Sequence, residues 1–183
     1  MNAPERKTLR LRYGRTSLAG SRYFLTLCTR HRTSVLLEAE NARRIASTMN
    51  ALQSTNDIDL IAATVMPDHV HLLFTLGERL TLGQTMAKLK NLARDSGRVP
   101  WRWLDDGFEH RLRAEESAED YAFYIFMNPY RARLVSMTEA WPWWQCPDHW
   151  QFRFMQHLDS NGLPPSEWLD TIEETAKRIV AGE

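Results

Sequence analysis

Two histidines separated by one residue are the strongest chemical signal in the sequence. They lie in residues 67–72, which read PDHVHL. Residues two apart in a β-strand project from the same face, so His69 and His71 would point together while Val70 points to the other side. Imidazole is a common ligand of divalent metals, and two rings at this spacing can converge on one ion. Taken alone, the pattern also fits two half-buried or surface histidines on a strand.

A tyrosine and an asparagine form a second candidate pair further along the chain. Tyr124 and Asn128 are four residues apart and would be neighbours on one face of a helix. An amide oxygen of Asn128 can ligate a hard cation, and the Tyr124 hydroxyl beside it could act as a nucleophile. The alternative is an aromatic helix anchor that is followed by an Asn-Pro stop.

The elements that would position these residues follow from hydrophobic periodicity and turn residues. Strands are predicted at residues 23–29, 58–66, 69–74 and 108–113, and helices at residues 38–52, 82–93, 117–127 and 166–180. The helix at 117–127 is expected to stop before Asn128-Pro129. This order favours an α+β domain, ferredoxin-like, with an antiparallel sheet and helices on one face.

The composition is that of an ordinary globular chain, with 43% hydrophobic and 25% charged residues in 183. No apolar run is long enough to span a membrane, and the two cysteines do not form a CxxC motif, so a cytoplasmic protein is expected. The net charge is zero, but residues 1–113 carry 18 basic and 11 acidic residues, whereas residues 114–183 carry 5 and 12. Such asymmetry indicates a polyanionic partner.

Several motifs together resemble one family. The segment MPDHVHLL at 66–73 is followed by YIFMNPYRARLV at 124–135, with YFLT at 23–26, GFEHRLR at 107–113 and WPW at 141–143. This series resembles the single-tyrosine HUH transposases, and within them the REP-associated tyrosine transposases. The resemblance covers about residues 20–145.

The resemblance implies a fold and a reaction. It implies a ferredoxin-like domain that nicks and rejoins single-stranded DNA at imperfect hairpins of repetitive extragenic palindromes. Tyr124 would be the nucleophile, and His69, His71 and Asn128 would bind Mg²⁺ or Mn²⁺. The predicted organisation is a basic arm at 1–21, the transposase domain at 22–145 and, beyond the resemblance, an acidic extension at 146–183 packed on the domain. The protein would be associated with the nucleoid, with no membrane partner, as a monomer or a homodimer.

Basic and aromatic side chains are the candidates for DNA binding. Basic groups would contact phosphates, and two tryptophans would stack on unpaired bases. The candidates are Arg10, Arg12, Arg15, Lys88, Lys90, Arg94, Arg98, Trp101, Trp103, Arg111, Arg113, Arg131 and Arg133.

The sequence also departs from the family pattern. Phe126 stands where the family usually has His, and Arg133 where it usually has Gly. Asp105 and Asp106 replace a basic residue in a loop, and two carboxylates there would repel phosphate.

Two other functions remain open from the sequence. One is a repurposed protein that binds single-stranded DNA hairpins without cleaving them. The other is a histidine–metal hydrolase for small molecules, which lacks a carboxylate ligand or base at a clear spacing and leaves the basic arm unexplained.

Overall fold

The computed structural model describes residues 17–94 and 100–180. Five strands form one sheet, in which every neighbouring pair is antiparallel and the order is β4-β1-β3-β2-β5. The strands are β1 (Arg22–Cys28), β2 (Ile58–Val65), β3 (His69–Leu76), β4 (Phe108–Arg111) and β5 (Trp144–Gln145). The α-helices are α1 (Ala39–Ser54), α2 (Leu82–Leu92), α3 (Ala118–Arg131) and α4 (Trp168–Val180), with short 3-10 turns at Arg30–Arg32 and Arg153–His157.

Helices cover both faces of the sheet. Alternate residues such as Leu25 pack against α1 and α2, whereas Phe24 and Leu73 pack against α3 and α4 on the opposite face. The predicted α+β fold with an antiparallel sheet is confirmed, but the placement of the helices on one face is wrong. The reason is visible in β2 and β3, which are almost continuously buried. Strands buried on both sides need a cover on each face.

Helix α3 runs further than its sequence suggests. It was expected to stop before Asn128, but it continues through Pro129 to Arg131. Proline removes one hydrogen bond from a helix interior, and burial of Ile125, Met127 and Tyr130 on this helix opposes that cost. As a result, Tyr124 and Asn128 both lie inside the helix, one turn apart.

Residues after 145 pack on α3. Phe154 and Ile172 are buried in the same apolar cluster as the residues of α3. Ion pairs reinforce the contact, because Arg153 Nε lies 3.0 Å from Glu119 Oε2 and Arg178 lies 3.2 Å from Asp120. The helix that carries Tyr124 is therefore held by the sheet and by the C-terminal segment together.

The start of the chain is described only in part. Residues 1–16, which form most of the predicted basic arm, lie outside the described residues. Residues that follow are tied to the domain, since Leu18 N donates to Tyr23 Oη and Leu82 N donates to Ser17 Oγ. Across residues 17–94 and 100–180, none of the helices combines the length and the apolar character that crossing a membrane would require.

A buried carboxylate fastens α2 to the start of β2. The side chain of Asp57 is 1% exposed, and its Oδ2 accepts from Lys88 Nζ at 2.5 Å and from Thr55 Oγ1 at 2.6 Å. The hydrogen bond from Lys88 is the main cause that lowers the pKa of Asp57 below its ordinary value of 3.8, and Thr55 adds to it. The ionised form is therefore favoured by folding.

We expect Asp57→Asn to lower the free energy of unfolding at pH 7 by about 1–3 kcal/mol, because a charge-assisted hydrogen bond is lost. A carboxylate with a lowered folded pKa stabilises the protein above its unfolded pKa and loses that contribution as the pH falls through the folded value. The variant should therefore lose stability less steeply than the wild type as the pH drops below about 4. Urea unfolding at pH 7, 5, 4 and 3 measures this, and parallel curves for both proteins would contradict it.

Candidate functional site

The two histidines lie in a row of paired residues across the sheet. In the strand registers, His71 of β3 lies opposite Thr26 of β1 on one side and Thr64 of β2 on the other. Cross-strand partners project from the same face. That face is the one covered by α3, because Leu73, two residues after His71, packs in the cluster of α3. The sheet therefore presents His71 to the tyrosine helix.

Hydrogen bonds to the Nδ1 atoms orient both imidazoles. His69 Nδ1 lies 2.6 Å from Asp68 Oδ1, and Arg32 pairs in turn with Asp68 at 3.3 Å. His71 Nδ1 lies 3.0 Å from Thr26 Oγ1. With both Nδ1 atoms engaged, the two Nε2 atoms face each other at 3.1 Å. Outer partners of this kind fix the ring orientation of metal-ligating histidines.

The geometry of the pair fits a shared cation. Two nitrogens that each lie about 2.0–2.1 Å from one divalent ion are about 3.0–3.4 Å apart, and the observed separation is 3.1 Å. In the described part of the chain, no three His, Cys, Asp or Glu side chains form a group that could hold a metal. Among the described residues, a third protein ligand beside His69 and His71 would therefore be of another type, such as a side-chain amide, and Asn128 carries one.

Burial favours the neutral form of both imidazoles. Desolvation lowers the pKa of His69, against the opposing effect of Asp68. Burial is also the main cause that lowers the pKa of His71 well below 6.5, and the neighbouring His69 and Arg131 add to it. A neutral imidazole keeps the lone pair that a metal ligand needs.

Tyr124 packs directly against this pair. Its ring centre lies 5.4 Å from that of His71 and 6.0 Å from that of Phe24, and the residue is 3% exposed. The guanidinium carbon of Arg131 lies 5.7 Å from the same ring centre. In this conformation Tyr124 and His71 of one and the same chain are in contact.

A second tyrosine on α3 is engaged elsewhere. Tyr121 Oη donates to Glu116 Oε1 at 3.0 Å, and Glu116 also binds His110 Nε2 at 2.8 Å. Burial, followed by the bond to Glu116, raises the pKa of Tyr121 far above its usual range. The raised pKa disfavours the phenolate form of Tyr121, which leaves Tyr124 as the reactive candidate of the pair.

Asn128 lies one turn beyond Tyr124 and is 4% exposed. Its Nδ2 donates to the backbone oxygen of Tyr124 at 3.4 Å, which is a long bond. Its carbonyl oxygen can serve as a cation ligand. The four predicted metal-site and nucleophile residues thus come from two neighbouring elements, β3 and α3.

Predicted phosphate-binding residues on and after α2 have partners inside the domain. Lys88 pairs with Asp57, Lys90 Nζ donates to the backbone oxygens of Leu104 and Asp105, and Arg94 donates to that of Trp101. Lys90 and Arg94 thus bind the loop that follows α2, whereas Lys88 binds Asp57, and DNA contacts by all three remain a prediction. Arg10, Arg12, Arg15 and Arg98 lie outside the described residues.

The two predicted stacking residues are buried. Trp101 and Trp103 are each 7% exposed and belong to the core cluster on the α1/α2 face. Trp103 Nε1 also donates to the backbone oxygen of Lys90. In this conformation the apolar area of both rings completes the core, and the expectation that these rings stack on unpaired bases stays a prediction.

Other predicted DNA-binding residues lie at the surface. Arg111, Arg113 and Arg133 are exposed, and Arg131 is half-buried. Arg133 has a backbone φ of 56°, in the left-handed region that glycine adopts without cost. This explains physically how glycine suits that position in the family pattern.

Three residues of the site were not predicted from the sequence. Asp68 lies within the PDHVHL motif, directly before His69, so the sequence itself could have indicated it as a partner of that histidine. Thr26 could be found only from the pairing of β1 with β3, which sequence periodicity does not fix. Arg32 reaches Asp68 from the 3-10 turn after β1, and no local pattern marks it.

Comparisons with known proteins agree with this arrangement. Residues 17–97 match a family model described as "Transposase IS200 like"; the match includes both histidines and ends before α3. A protein of Haemophilus influenzae named "Putative REP-associated tyrosine transposase" is 24% identical over 146 residues, which cover 72% of this chain and 82% of the relative. A solved structure described as a REP-associated tyrosine transposase bound to a REP hairpin superposes with a TM-score of 0.62 at 22% identity, over 72% of this chain and 80% of the other.

The domain is an antiparallel α+β fold with a histidine pair at the start of a central strand, and its fold is that of the solved REP-associated tyrosine transposase. The chain is similar to the IS200-like transposases over residues 17–97, and its predicted resemblance to the REP-associated tyrosine transposases is confirmed.

Proposed function

We propose that the protein is a metal-dependent transesterase that nicks and rejoins single-stranded DNA at hairpin repeats. The observation that carries the proposal is the contact of Tyr124 with His71, at 5.4 Å between ring centres, beside two Nε2 atoms 3.1 Å apart. A nucleophile and a cation site adjacent to each other are what phosphoryl transfer to a side chain requires.

The bound ion, Mg²⁺ or Mn²⁺, would act as a Lewis acid that withdraws charge from the scissile phosphate. His69 and His71 would hold it through Nε2, and Asn128 through its amide oxygen. Because all three ligands are neutral, the ion keeps its full charge for the phosphate. Arg131, next to the Tyr124 ring, is placed to meet a phosphate oxygen with a second positive charge.

The reaction exchanges one phosphodiester for another. The Tyr124 oxygen forms a bond to phosphorus while the bond from phosphorus to the 3′ oxygen breaks, and the phenolic proton passes through solvent to the departing oxygen. The products are a 5′-phosphotyrosine and a free 3′-OH. Because the ester bond is conserved, the 3′-OH of another strand can reverse the step without ATP, which hydrolysis would not allow.

A hairpin substrate is supported by the neighbour whose structure is described as bound to a REP hairpin. The exposed Arg111, Arg113 and Arg133 lie on the elements that flank the tyrosine helix and would contact its phosphates. Such contacts would make binding strongly salt-dependent.

The test is covalent capture on DNA. The full chain is incubated with Mn²⁺ and a pool of 5′- or 3′-labelled hairpins that carry randomised unpaired flanks, and the mixture is separated on a denaturing gel. We expect a covalent adduct that retains the label on the 3′ side of the nick and is lost with EDTA. Binding of the same hairpins with no adduct at any Mn²⁺ concentration would favour the non-cleaving alternative, and absence of both would contradict a DNA function.

A further inference from the structure

A buried hydroxyl without a partner lies beside the histidine pair. Thr64 lies opposite His71 in the sheet and is 0% exposed. Its Oγ1 has no hydrogen-bond partner among the described residues. An unpaired buried hydroxyl costs about 1–3 kcal/mol, so a group of this kind calls for a physical explanation.

The path of α3 across the sheet places Asn128 toward Thr64. Tyr121 packs on Phe24 of β1 at 5.2 Å, and Tyr124, one turn later, packs on His71 of β3 at 5.4 Å. Each turn of α3 therefore lies about one strand further across the sheet, in the direction from β1 to β3. The next strand in that direction is β2, and Asn128 is the next residue along the same face of the helix.

Each of the other two proposed ligands has an outer partner. His69 is held by Asp68, and His71 is held by Thr26. Among the described residues, the side chain of Asn128 has only the 3.4 Å bond from its Nδ2 to the backbone of its own helix. Ligands whose second polar atom is held by a neighbour bind metals more tightly, because their orientation is fixed beforehand.

We propose that Thr64 is a positioning residue for Asn128. When the amide oxygen of Asn128 turns to the cation, Asn128 Nδ2 donates a hydrogen bond to Thr64 Oγ1. The hydroxyl that is unpaired in this structure thereby gains its partner, and each proposed ligand has one oxygen that orients it. This inference rests on the proposed function, since it assumes that Asn128 is a ligand.

The test compares two threonines with the same buried, unpaired hydroxyl. Thr85 is 1% exposed, its Oγ1 also lacks a partner among the described residues, and it lies in α2 on the other side of the sheet. Mn²⁺ affinity without DNA is measured from the electron paramagnetic resonance signal of free Mn²⁺. We expect Thr64→Val to raise the dissociation constant at least about tenfold, whereas Thr85→Val leaves it within about twofold.

Folding controls separate positioning from packing. Both valine variants remove an unpaired hydroxyl, so their melting temperatures without metal should be equal to or above that of the wild type. Thr64→Ser keeps the hydroxyl and should keep wild-type affinity. If Thr64→Val does not fold, Thr64→Ala replaces it in the comparison.

Two negative outcomes have different meanings. If the wild type binds Mn²⁺ and Thr64→Val binds it equally well, Thr64 has no positioning role and the proposed function is untouched. If neither the wild type nor His71→Ala binds Mn²⁺, the metal site itself is refuted, and the role of Thr64 is refuted with it.

Discussion

Replacement of Tyr124 by phenylalanine should abolish the covalent protein–DNA adduct while leaving hairpin binding unchanged. The substitution removes only the hydroxyl, and the ring that packs against His71 and Phe24 is retained. Because loss of the nucleophile leaves no other group to form the ester, adduct formation should fall by more than about 10⁴-fold. Denaturing gels measure the adduct, and fluorescence anisotropy with the labelled hairpin measures binding.

Tyr121→Phe is the matched control. It removes a hydroxyl from the same helix, one turn earlier, where the group donates to Glu116. We expect a modest loss of stability from the broken hydrogen bond, about 1–2 kcal/mol, with adduct formation preserved. If the adduct persists in Tyr124→Phe and is lost in Tyr121→Phe, the nucleophile has been assigned to the wrong tyrosine.

The order of elements could be predicted because it depends on local patterns. Alternation along β3 placed His69 and His71 on one face, and the four-residue spacing placed Asn128 beside Tyr124. Both inferences need only the period of one element. The contact between His71 and Tyr124 depends on how α3 packs on the sheet, and the periodicity of single elements does not determine that packing. The expectation that these two residues share a site came from the family resemblance.

Other features depend on partners distant in sequence, and they were not predictable in the same way. The register that pairs Thr26 and Thr64 with His71 is one of several that the strand patterns allow. The burial of Trp101 and Trp103 depends on how the loop after α2 packs on the core of the α1/α2 face. The residue type does not decide it, because tryptophan suits a core as well as a stacking platform. The two-residue strand β5 is shorter than any pattern that indicates a strand.

The charge asymmetry acquires a different meaning in the structure. Lys88, Lys90 and Arg94 were counted toward a basic surface, but each has a partner inside the domain. Asp105 and Asp106 are exposed in the loop that Lys90 holds. Among the described residues, Arg32 and Arg131 lie beside the proposed cation site: Arg32 pairs with Asp68, and Arg131 packs over the Tyr124 ring. Local placement of charge therefore matters more here than the net charge of each half of the chain.

Replacement of His71 by alanine should have the second-largest effect, on cleavage and on metal affinity together. His71 is 3% exposed, its Nε2 faces that of His69, and its ring supports Tyr124. Loss of one of three ligands weakens charge withdrawal from the phosphate, an effect of several kcal/mol. We expect the rate of adduct formation to fall about 10³-fold, which corresponds to about 4 kcal/mol, and Mn²⁺ affinity to fall at least about tenfold.

A remote histidine provides the control for this substitution. His149 is 54% exposed and pairs only with Asp59 at 3.4 Å in the described structure; His149→Ala should leave the rate, the Mn²⁺ affinity and the melting temperature unchanged. Because His71→Ala also removes packing under Tyr124, circular dichroism and hairpin binding must show that the variant is folded. A folded His71→Ala protein with wild-type cleavage would mean that the imidazole pair does not hold the catalytic ion. If the variant cleaves slowly and higher Mn²⁺ concentrations restore the rate, His71 is a ligand whose loss lowers the fraction of protein that holds Mn²⁺. Saturation with Mn²⁺ restores only the activity that was lost through weak metal binding.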